Sequence, residues 1–204
     1  MTTAKDLFII AVEPPPDRPV GQGDLSLALA GAELIDLIGA RAVTLDGDSI
    51  VPAGEPALDD RLLGEASAAL TRQVPYERVE DWLWRRGRDL SAAYQAGLEA
   101  DGELTQGRGG RSLFGADRVE VADSAARRRA LSRREADEPV LAALAASVGL
   151  EGGPGTEEEQ EPGLDDEAVI TVLAIVNDAV MELEAVRQRR SIEKAAFANV
   201  WRGP

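Results

Sequence analysis

Apolar residues recur at helical spacing along much of the chain, most clearly between Leu25 and Ile35. There they occupy positions i, i+3, i+4 and i+7, which lie on the core-facing side of a helix. We expect Asp24 to cap this helix, Gly39 to end it and Gly31 to let a neighbouring element approach closely. Seven further helices are predicted over 6–12 with Asp6 as its cap, from near 56 to 70, from 79 to 98, from 123 to about 134, from 139 to 148, from 168 to about 186, and from there through 201.

Two segments have the turn residues of β-hairpins. The first hairpin pairs 43–45 with 48–51 around Asp46-Gly47, a dipeptide that tolerates the positive φ of a tight turn. A second hairpin and a further extended piece are predicted from 104–105, 112–114 and 119–121. With the helices, these strands predict a mainly α fold, a compact helical bundle that carries two small hairpins.

The composition supports helices and limits the compartment. Of the 204 residues, 44% are hydrophobic and only 4% are aromatic, which favours helices packed through small side chains. The longest apolar run, Leu7 to Val12, is far shorter than the roughly 20 residues that cross a bilayer. The chain has no Cys, so a reducing cytosol is the default compartment. We expect one domain over 1–204, cytoplasmic and peripheral at most to a membrane.

The net charge of -15 argues against a protein that coats nucleic acid, because phosphate binding needs a concentrated basic face. The charge is nevertheless uneven. Residues 85–134 contain 11 Arg and 7 acids, whereas 135–167 contain 11 acids and no base. This asymmetry indicates either two differently solvated surfaces or an anion-binding face beside an acidic loop. The Gly- and Glu-rich stretch at about 151–164 cannot bury apolar area and is predicted to be mobile.

Catalysis is disfavoured because the chain lacks the usual catalytic groups. It has no His and no Cys, so it offers no imidazole base, no thiolate and no usual zinc ligand set. The adjacent pairs Asp59-Asp60 and Asp165-Asp166 do not converge on one substrate atom in a helix or loop. We therefore expect no catalytic residue, no metal and no cofactor.

Two groups of arginines are candidate anion-binding residues. The later group, Arg127 to Arg129 with Arg133, could attract an anionic membrane at about 1 kcal/mol per residue. The alternative interpretation is that these arginines form a solvated helix face paired to Glu135 or Asp137. The earlier group, Arg85, Arg86 and Arg88, follows Trp82 and Trp84. These two tryptophans cannot both face the core, so an exposed Trp84 could anchor at a lipid interface. The alternative is one Trp in the core and the other partly covered. The candidate lipid- or anion-binding residues are Arg85, Arg86, Arg88, Arg127, Arg128, Arg129 and Arg133, with Trp84 as the membrane contact.

The order of these parts resembles the Golgi phosphoprotein 3 family, including its bacterial members. The segments that carry the resemblance are Asp6 to Val12, Leu25 to Leu37 (LSLALAGAELIDL), Arg41 with the hairpin after it, Asp81 to Trp84 (DWLW), Gly102 to Leu104, Ser112 to Phe114 and Leu173 to Val180. The resemblance covers most of the chain. It implies a helical bundle with small hairpins and, by analogy with eukaryotic members, a peripheral adaptor that binds phosphatidylinositol 4-phosphate.

Carrying the family's headgroup site onto this chain leaves half of it without suitable side chains. The aromatic position falls on Gly21 and an Arg position within the following helix falls on Ala30. Of the basic pair later in the chain, Arg129 matches one position and Ser132 falls near the other, with Arg133 adjacent. The resemblance therefore predicts binding to an anionic phospholipid headgroup through the Arg-rich face, with protein clients as possible partners.

The sequence is also compatible with two other functions. A helix followed by a hairpin is winged-helix-like, and Arg108, Arg111 and Arg118 would lie in the wing of a nucleic-acid-binding or regulatory protein. A cytosolic interaction scaffold without lipid binding is the other, with the acidic stretch 151–167 as its contact.

Overall fold

The computed structural model describes residues 2–13, 20–106, 119–150 and 166–200, and the side chains of 106, 119 and 195–200 are outside that description. The described residues form eight helices and two antiparallel strand pairs, which confirms the mainly helical fold. The helices are α1 (Thr3–Val12), α2 (Gln22–Gly39), α3 (Arg61–Ala68), α4 (Val79–Arg86), α5 (Leu90–Ala100), α6 (Ala125–Glu135), α7 (Pro139–Ser147) and α8 (Glu167–Val200). The strands are β1 (Val43–Asp46), β2 (Ser49–Pro52), β3 (Leu104–Gln106) and β4 (Val119–Val121).

The central helix is α2, which packs against α8, α1, α5 and α4. The predicted core stripe of this helix is buried, and Gly39 is its last residue. A Cβ added at Gly31 would overlap a methyl group of Val176 in α8, so the predicted close approach at Gly31 is confirmed. Asp24, however, is not the cap. The cap position is Gly21, and the Asp24 carboxylate accepts hydrogen bonds from Arg187 of α8 instead.

The start of α1 also differs from the prediction. Thr2 caps the helix by accepting a hydrogen bond from the Lys5 backbone N–H, while Asp6 lies inside the helix and is fully buried. The Asp36 carboxylate of α2 accepts from the backbone N–H groups of Thr3 and Ala4 at 3.0 and 3.2 Å. Two side chains therefore satisfy N–H groups that the first helical turn leaves without partners.

Four other helix predictions were wrong. The predicted third helix begins later, at the Asp60 cap, and Ser124, not Asp123, caps α6. The predicted helix 79–98 is two helices, because Asp89 adopts a left-handed φ of 58° between α4 and α5. The two helices predicted over 168–201 are instead one, α8. The start of α7 at Pro139 was correct.

Both predicted hairpin regions contain paired strands with a shifted turn or partner. In the first, Asp46 pairs with Ser49, so the turn residues are Gly47 and Asp48, and Gly47 has the positive φ of 58°. In the second, β3 pairs with β4, the piece that the sequence predicted as an extra segment. The predicted partner 112–114 and the acidic stretch 151–164 lie outside the described residues.

Candidate functional site

The predicted arginines of α6 lie beside α1 and bind its carboxylates. Arg129 donates through Nε and Nη2 to the two oxygens of Asp6, and Arg133 donates through Nη1 to the same carboxylate at 2.7 Å. Arg133 also reaches Glu138 at 2.9 Å. Near the end of α1, Arg127 makes a two-pronged contact with Glu13. The partners that the alternative interpretation named, Glu135 and Asp137, were therefore wrong.

These contacts offset the cost of burying a carboxylate. Asp6 has no exposed side-chain surface, and an unpaired charge in that position would be strongly destabilising. Burial alone would lower the pKa of Arg133, but its hydrogen bond to Asp6 and the nearby acids raise the pKa above its ordinary value. The hydrogen bond to Glu13 raises the pKa of Arg127 in the same direction. The first role of these arginines is to hold α1 against α6.

Arg128 is the freest member of the group. Its side chain is 66% exposed and makes one 3.1 Å hydrogen bond to Asp123, which is itself 80% exposed. Exposed pairs of this kind contribute roughly 0–1 kcal/mol. On either side of it in sequence, Arg127 and Arg129 each use Nε and Nη2 for a carboxylate, and no described group accepts a hydrogen bond from either Nη1. The group thus keeps guanidinium donors for an added oxyanion.

The earlier arginines, on and just after α4, do not converge on one site. Arg85 binds both carboxylate oxygens of Glu77 at 2.6 and 2.7 Å and lies 5.2 Å from the ring centre of Trp82. Arg86 points inward to Glu33, and Arg88 is exposed. We find no ion pair for Arg88 among the described residues. Arg85 thus lies in a surface ion pair, Arg86 lies in a buried ion pair, and Arg88 is exposed to solvent.

Arg86 belongs to a buried polar network with Glu33 and Tyr94. Its guanidinium donates to both Glu33 oxygens at 2.8 and 2.9 Å, and the Tyr94 hydroxyl donates to the same carboxylate at 3.1 Å. Burial raises the pKa of Glu33 above its ordinary value, and the hydrogen bonds from Arg86 and Tyr94 offset this only in part. Arg86 therefore has a structural role inside the bundle. Its burial does not fit the prediction that it is a surface anion ligand.

The two tryptophans separate as predicted. Trp82 is fully buried and its Nε1 donates to the backbone carbonyl of Ala30 at 3.1 Å, whereas Trp84 is 36% exposed. Trp84 therefore has exposed surface for an interface. The neighbouring Arg85 is held by Glu77 and lies over Trp82.

At Gly21 and Ala30, where the family's headgroup site has an aromatic residue and an Arg, neighbouring atoms of this chain fill the space. Ala30 has no exposed surface in the core, and a Cβ at Gly21 would overlap the carboxylate of Asp24. A large side chain fits neither position without movement of its neighbours. The headgroup pocket implied by the resemblance is thus absent at these two positions.

A cavity elsewhere has the wrong charge for an anion. It has a volume of about 250 Å³ and lies between the first hairpin, the start of α4 and α8. Its charged lining consists of Asp48, Arg78, Glu80, Asp178 and Glu182. Arg78 is paired to Asp48, so the remaining lining is acidic. The exposed donors near Arg128 are therefore a better match to a phosphate than this cavity is.

Comparison with known families places the fold. A family model described as Golgi phosphoprotein 3 (GPP34) matches residues 4–189, which extend from α1 well into α8. The chain belongs to the Golgi phosphoprotein 3 family. No individual curated protein matches it. The match confirms the resemblance that the helix order and the DWLW segment indicated. Within the described part of this Golgi phosphoprotein 3 family member, no helix combines the length and the hydropathy of a membrane span.

Proposed function

We propose that this Golgi phosphoprotein 3 family member is a non-catalytic peripheral adaptor that binds an anionic phospholipid headgroup at the arginines of α6. Family membership supports the adaptor class. The residue-level support is Arg128, whose exposed pair with Asp123 can open at low cost, between two arginines that each retain an Nη1 donor group. A phosphate that replaces Asp123 would gain charge-assisted hydrogen bonds of the kind guanidinium groups favour.

The same geometry argues for modest affinity and low stereospecificity. The four candidate arginines of α6 are paired with four carboxylates, Asp6, Glu13, Asp123 and Glu138, so this face carries little net positive charge. Gly21 and Ala30 add no side chain that could read the sugar of a headgroup. Binding should therefore depend on negative charge more than on headgroup identity, and salt should weaken it.

The test is co-sedimentation with vesicles that contain phosphatidylinositol 4-phosphate, phosphatidylglycerol or only phosphatidylcholine. Each composition is measured at low and at physiological salt. We expect binding to both anionic vesicles at low salt, a clear loss at physiological salt and no binding to the neutral vesicles. Failure to bind any anionic vesicle at low salt would contradict the proposal and leave protein partners as the function.

A charge reversal at Arg128 tests the location. Arg128→Glu should reduce anionic vesicle binding several-fold while leaving the unfolding midpoint nearly unchanged, because the side chain is exposed. The matched control is Arg61→Glu on α3, since Arg61 is 64% exposed and also pairs with one nearby acid, Glu65. Equal losses from both variants would indicate a general charge effect and not a site on α6.

A further inference from the structure

One side of α8 changes from apolar to basic along its length. The residues that pack this side against the bundle recur at helical spacing: Val172, Val176, Val180 and Leu183. Further along the helix, the same side carries Arg187, Arg190 and Lys194. At 3.6 residues per turn, these three bases lie within about 40° of Val176 around the helix axis. We call Arg187, Arg190 and Lys194 the basic stripe.

The basic stripe begins beside the first turn of α2. α8 runs antiparallel to α2, because Val176 lies against Gly31 while Arg187, later in α8, binds an earlier residue of α2. The Nη1 atom of Arg187 donates to both oxygens of Asp24, at 2.7 and 2.6 Å. Since α2 begins at Gln22, Asp24 lies in its first turn. Residues of α8 after Arg187 therefore extend beyond the start of α2.

Arg190 and Lys194 are in this projecting part of α8. They lie about 4.5 and 10.5 Å beyond Arg187 along the helix, at 1.5 Å per residue. All residues from 188 to 194 are exposed, and neither of the two bases makes an ion pair with a described residue. Glu193 is the only acid between 185 and 194, and it lies about 100° away from Val176 around the axis. The projecting part of α8 therefore presents two exposed cations on one side.

The helix dipole does not account for these bases. A cation in the last turn of a helix interacts favourably with the terminal carbonyl groups, but this effect is confined to that turn. The last turn of α8 contains no base, and Lys194 is more than one turn before Val200.

The start of α6 lies at the same end of the molecule as the basic stripe. α1 is antiparallel to α2, because Asp36 near the end of α2 accepts a hydrogen bond from Thr3 at the start of α1. Glu13, at the end of α1, therefore lies towards the start of α2, and Arg127 at the start of α6 binds Glu13. The exposed Arg128 is its neighbour. One end of the bundle thus gathers the arginines of the proposed headgroup site and the basic stripe.

The charge along α8 changes sign from one end to the other. The residues from 166 to 184 include no base and five acids: Asp166, Glu167, Asp178, Glu182 and Glu184. From 185 to 194 there are four bases and one acid. Because the net charge of the chain is -15, most of its surface is repelled by an anionic membrane, and this gradient directs the basic end of α8 towards one.

We propose that Arg190 and Lys194 form a second contact with an anionic membrane, and that the chain binds with the projecting end of α8 towards the bilayer. This inference rests on the proposed function, since the first contact is the arginine group of α6. A membrane fits both groups because its negative charge is spread over a plane that one end of the bundle can meet. Two contacts on one rigid body bind more tightly than either does alone. Two exposed bases are too few to hold a nucleic acid on a chain of this net charge.

Co-sedimentation with phosphatidylglycerol vesicles at low salt tests the second contact. Arg190→Glu combined with Lys194→Glu should weaken binding roughly ten-fold or more, because each base near an anionic surface adds to the affinity. The unfolding midpoint should stay nearly unchanged, since both side chains are exposed beyond the bundle.

The matched control makes the same change of charge at the other end of the molecule. Arg61→Glu combined with Arg134→Glu alters two exposed arginines. Arg61 follows Asp60, which binds Lys5 near the start of α1, and Arg134 is in the last turn of α6. Equal losses from the two double variants would reflect overall charge and overturn the second contact.

Arg128→Glu separates this inference from the proposed function. If Arg128→Glu weakens binding and the α8 double variant does not, the second contact fails and the site on α6 stands. If only the α8 double variant weakens binding, the site on α6 fails and the projecting end of α8 is the membrane contact. If the α8 double variant binds vesicles normally but loses salt-sensitive binding of duplex DNA, the basic stripe binds nucleic acid and the proposal fails.

Single cysteines test the orientation, because the chain has no native Cys. Ser191→Cys in the projecting part and Ile170→Cys near the start of α8 are each labelled with a fluorophore. Both native side chains are exposed, and the two positions are about 32 Å apart along the helix at 1.5 Å per residue. Phosphatidylglycerol vesicles that carry a nitroxide on the lipid headgroup should quench the label at 191 and leave the label at 170 bright. Equal quenching at both positions, or quenching at 170 alone, would overturn the orientation.

Discussion

Asp36 holds the start of α1 although the two are more than 30 residues apart. Its carboxylate accepts hydrogen bonds from the backbone N–H groups of Thr3 and Ala4. We expect Asp36→Ala to lower the free energy of unfolding by roughly 1–3 kcal/mol, because two buried donors lose their partner. Urea unfolding measures the effect. The control is Asp178→Ala on the exposed side of α8, which makes no hydrogen bond within the described residues and should have little effect; a similar loss there would contradict the assignment.

Glu33 predicts a pH dependence of stability with a definite sign. Burial raises its pKa above the ordinary 4.5, so the folded chain keeps the proton to a higher pH than the unfolded chain does. This contribution to the free energy of unfolding is fully present below pH 4.5 and is lost as the pH rises through the folded-state pKa. Glu33→Gln cannot titrate, so the stability of the wild type relative to this variant should fall as the pH rises above 4.5. Urea unfolding at several pH values measures this difference, and a constant difference would contradict it.

At the scale of single residues, the sequence predicted which positions are buried better than which polar groups meet. The apolar stripe of the central helix and the separation of Trp82 from Trp84 follow from helical periodicity alone. The pairing of Asp6 with Arg129 joins positions 123 residues apart, and no local pattern specifies it. The available signal was a charge inside an apolar run, as at Asp6 and Glu33, which indicates a buried carboxylate that needs a cation.

Between elements, Gly31 sets the distance from α2 to α8. An added methyl group there would overlap Val176, so Gly31→Ala should push the helices apart and cost roughly 1–3 kcal/mol. Gly64→Ala on α3 is the control, since nothing lies within 4 Å of its added Cβ and the change should stabilise by about 0.5–1 kcal/mol. Urea unfolding of both variants decides the matter. Additivity of Gly31→Ala with Val176→Ala would show that the two residues do not share the contact.

The helix bounds that were wrong have identifiable causes. Periodicity continued across Gly87 to Asp89, so it could not reveal that Asp89 turns the chain with a positive φ. In α8 the error was the reverse, because no Gly or Pro interrupts 167–200 and the predicted break at 186 had no breaker residue. The turn of the first hairpin moved by one residue because the strand register places Asp46 opposite Ser49, where side-chain alternation alone leaves a choice.

The burial of α1 has a consequence for how the chain is made. Its buried Asp6 finds a partner in Arg133, 127 residues later. At roughly 5–20 residues per second, a ribosome needs about 6–25 s to synthesise that interval. For that time α1 can pack only against elements that are already made, such as α2, because α6 does not yet exist. During synthesis, the apolar side of α1 can therefore be covered in part by α2, whereas Asp6 stays without its arginine partners until α6 emerges.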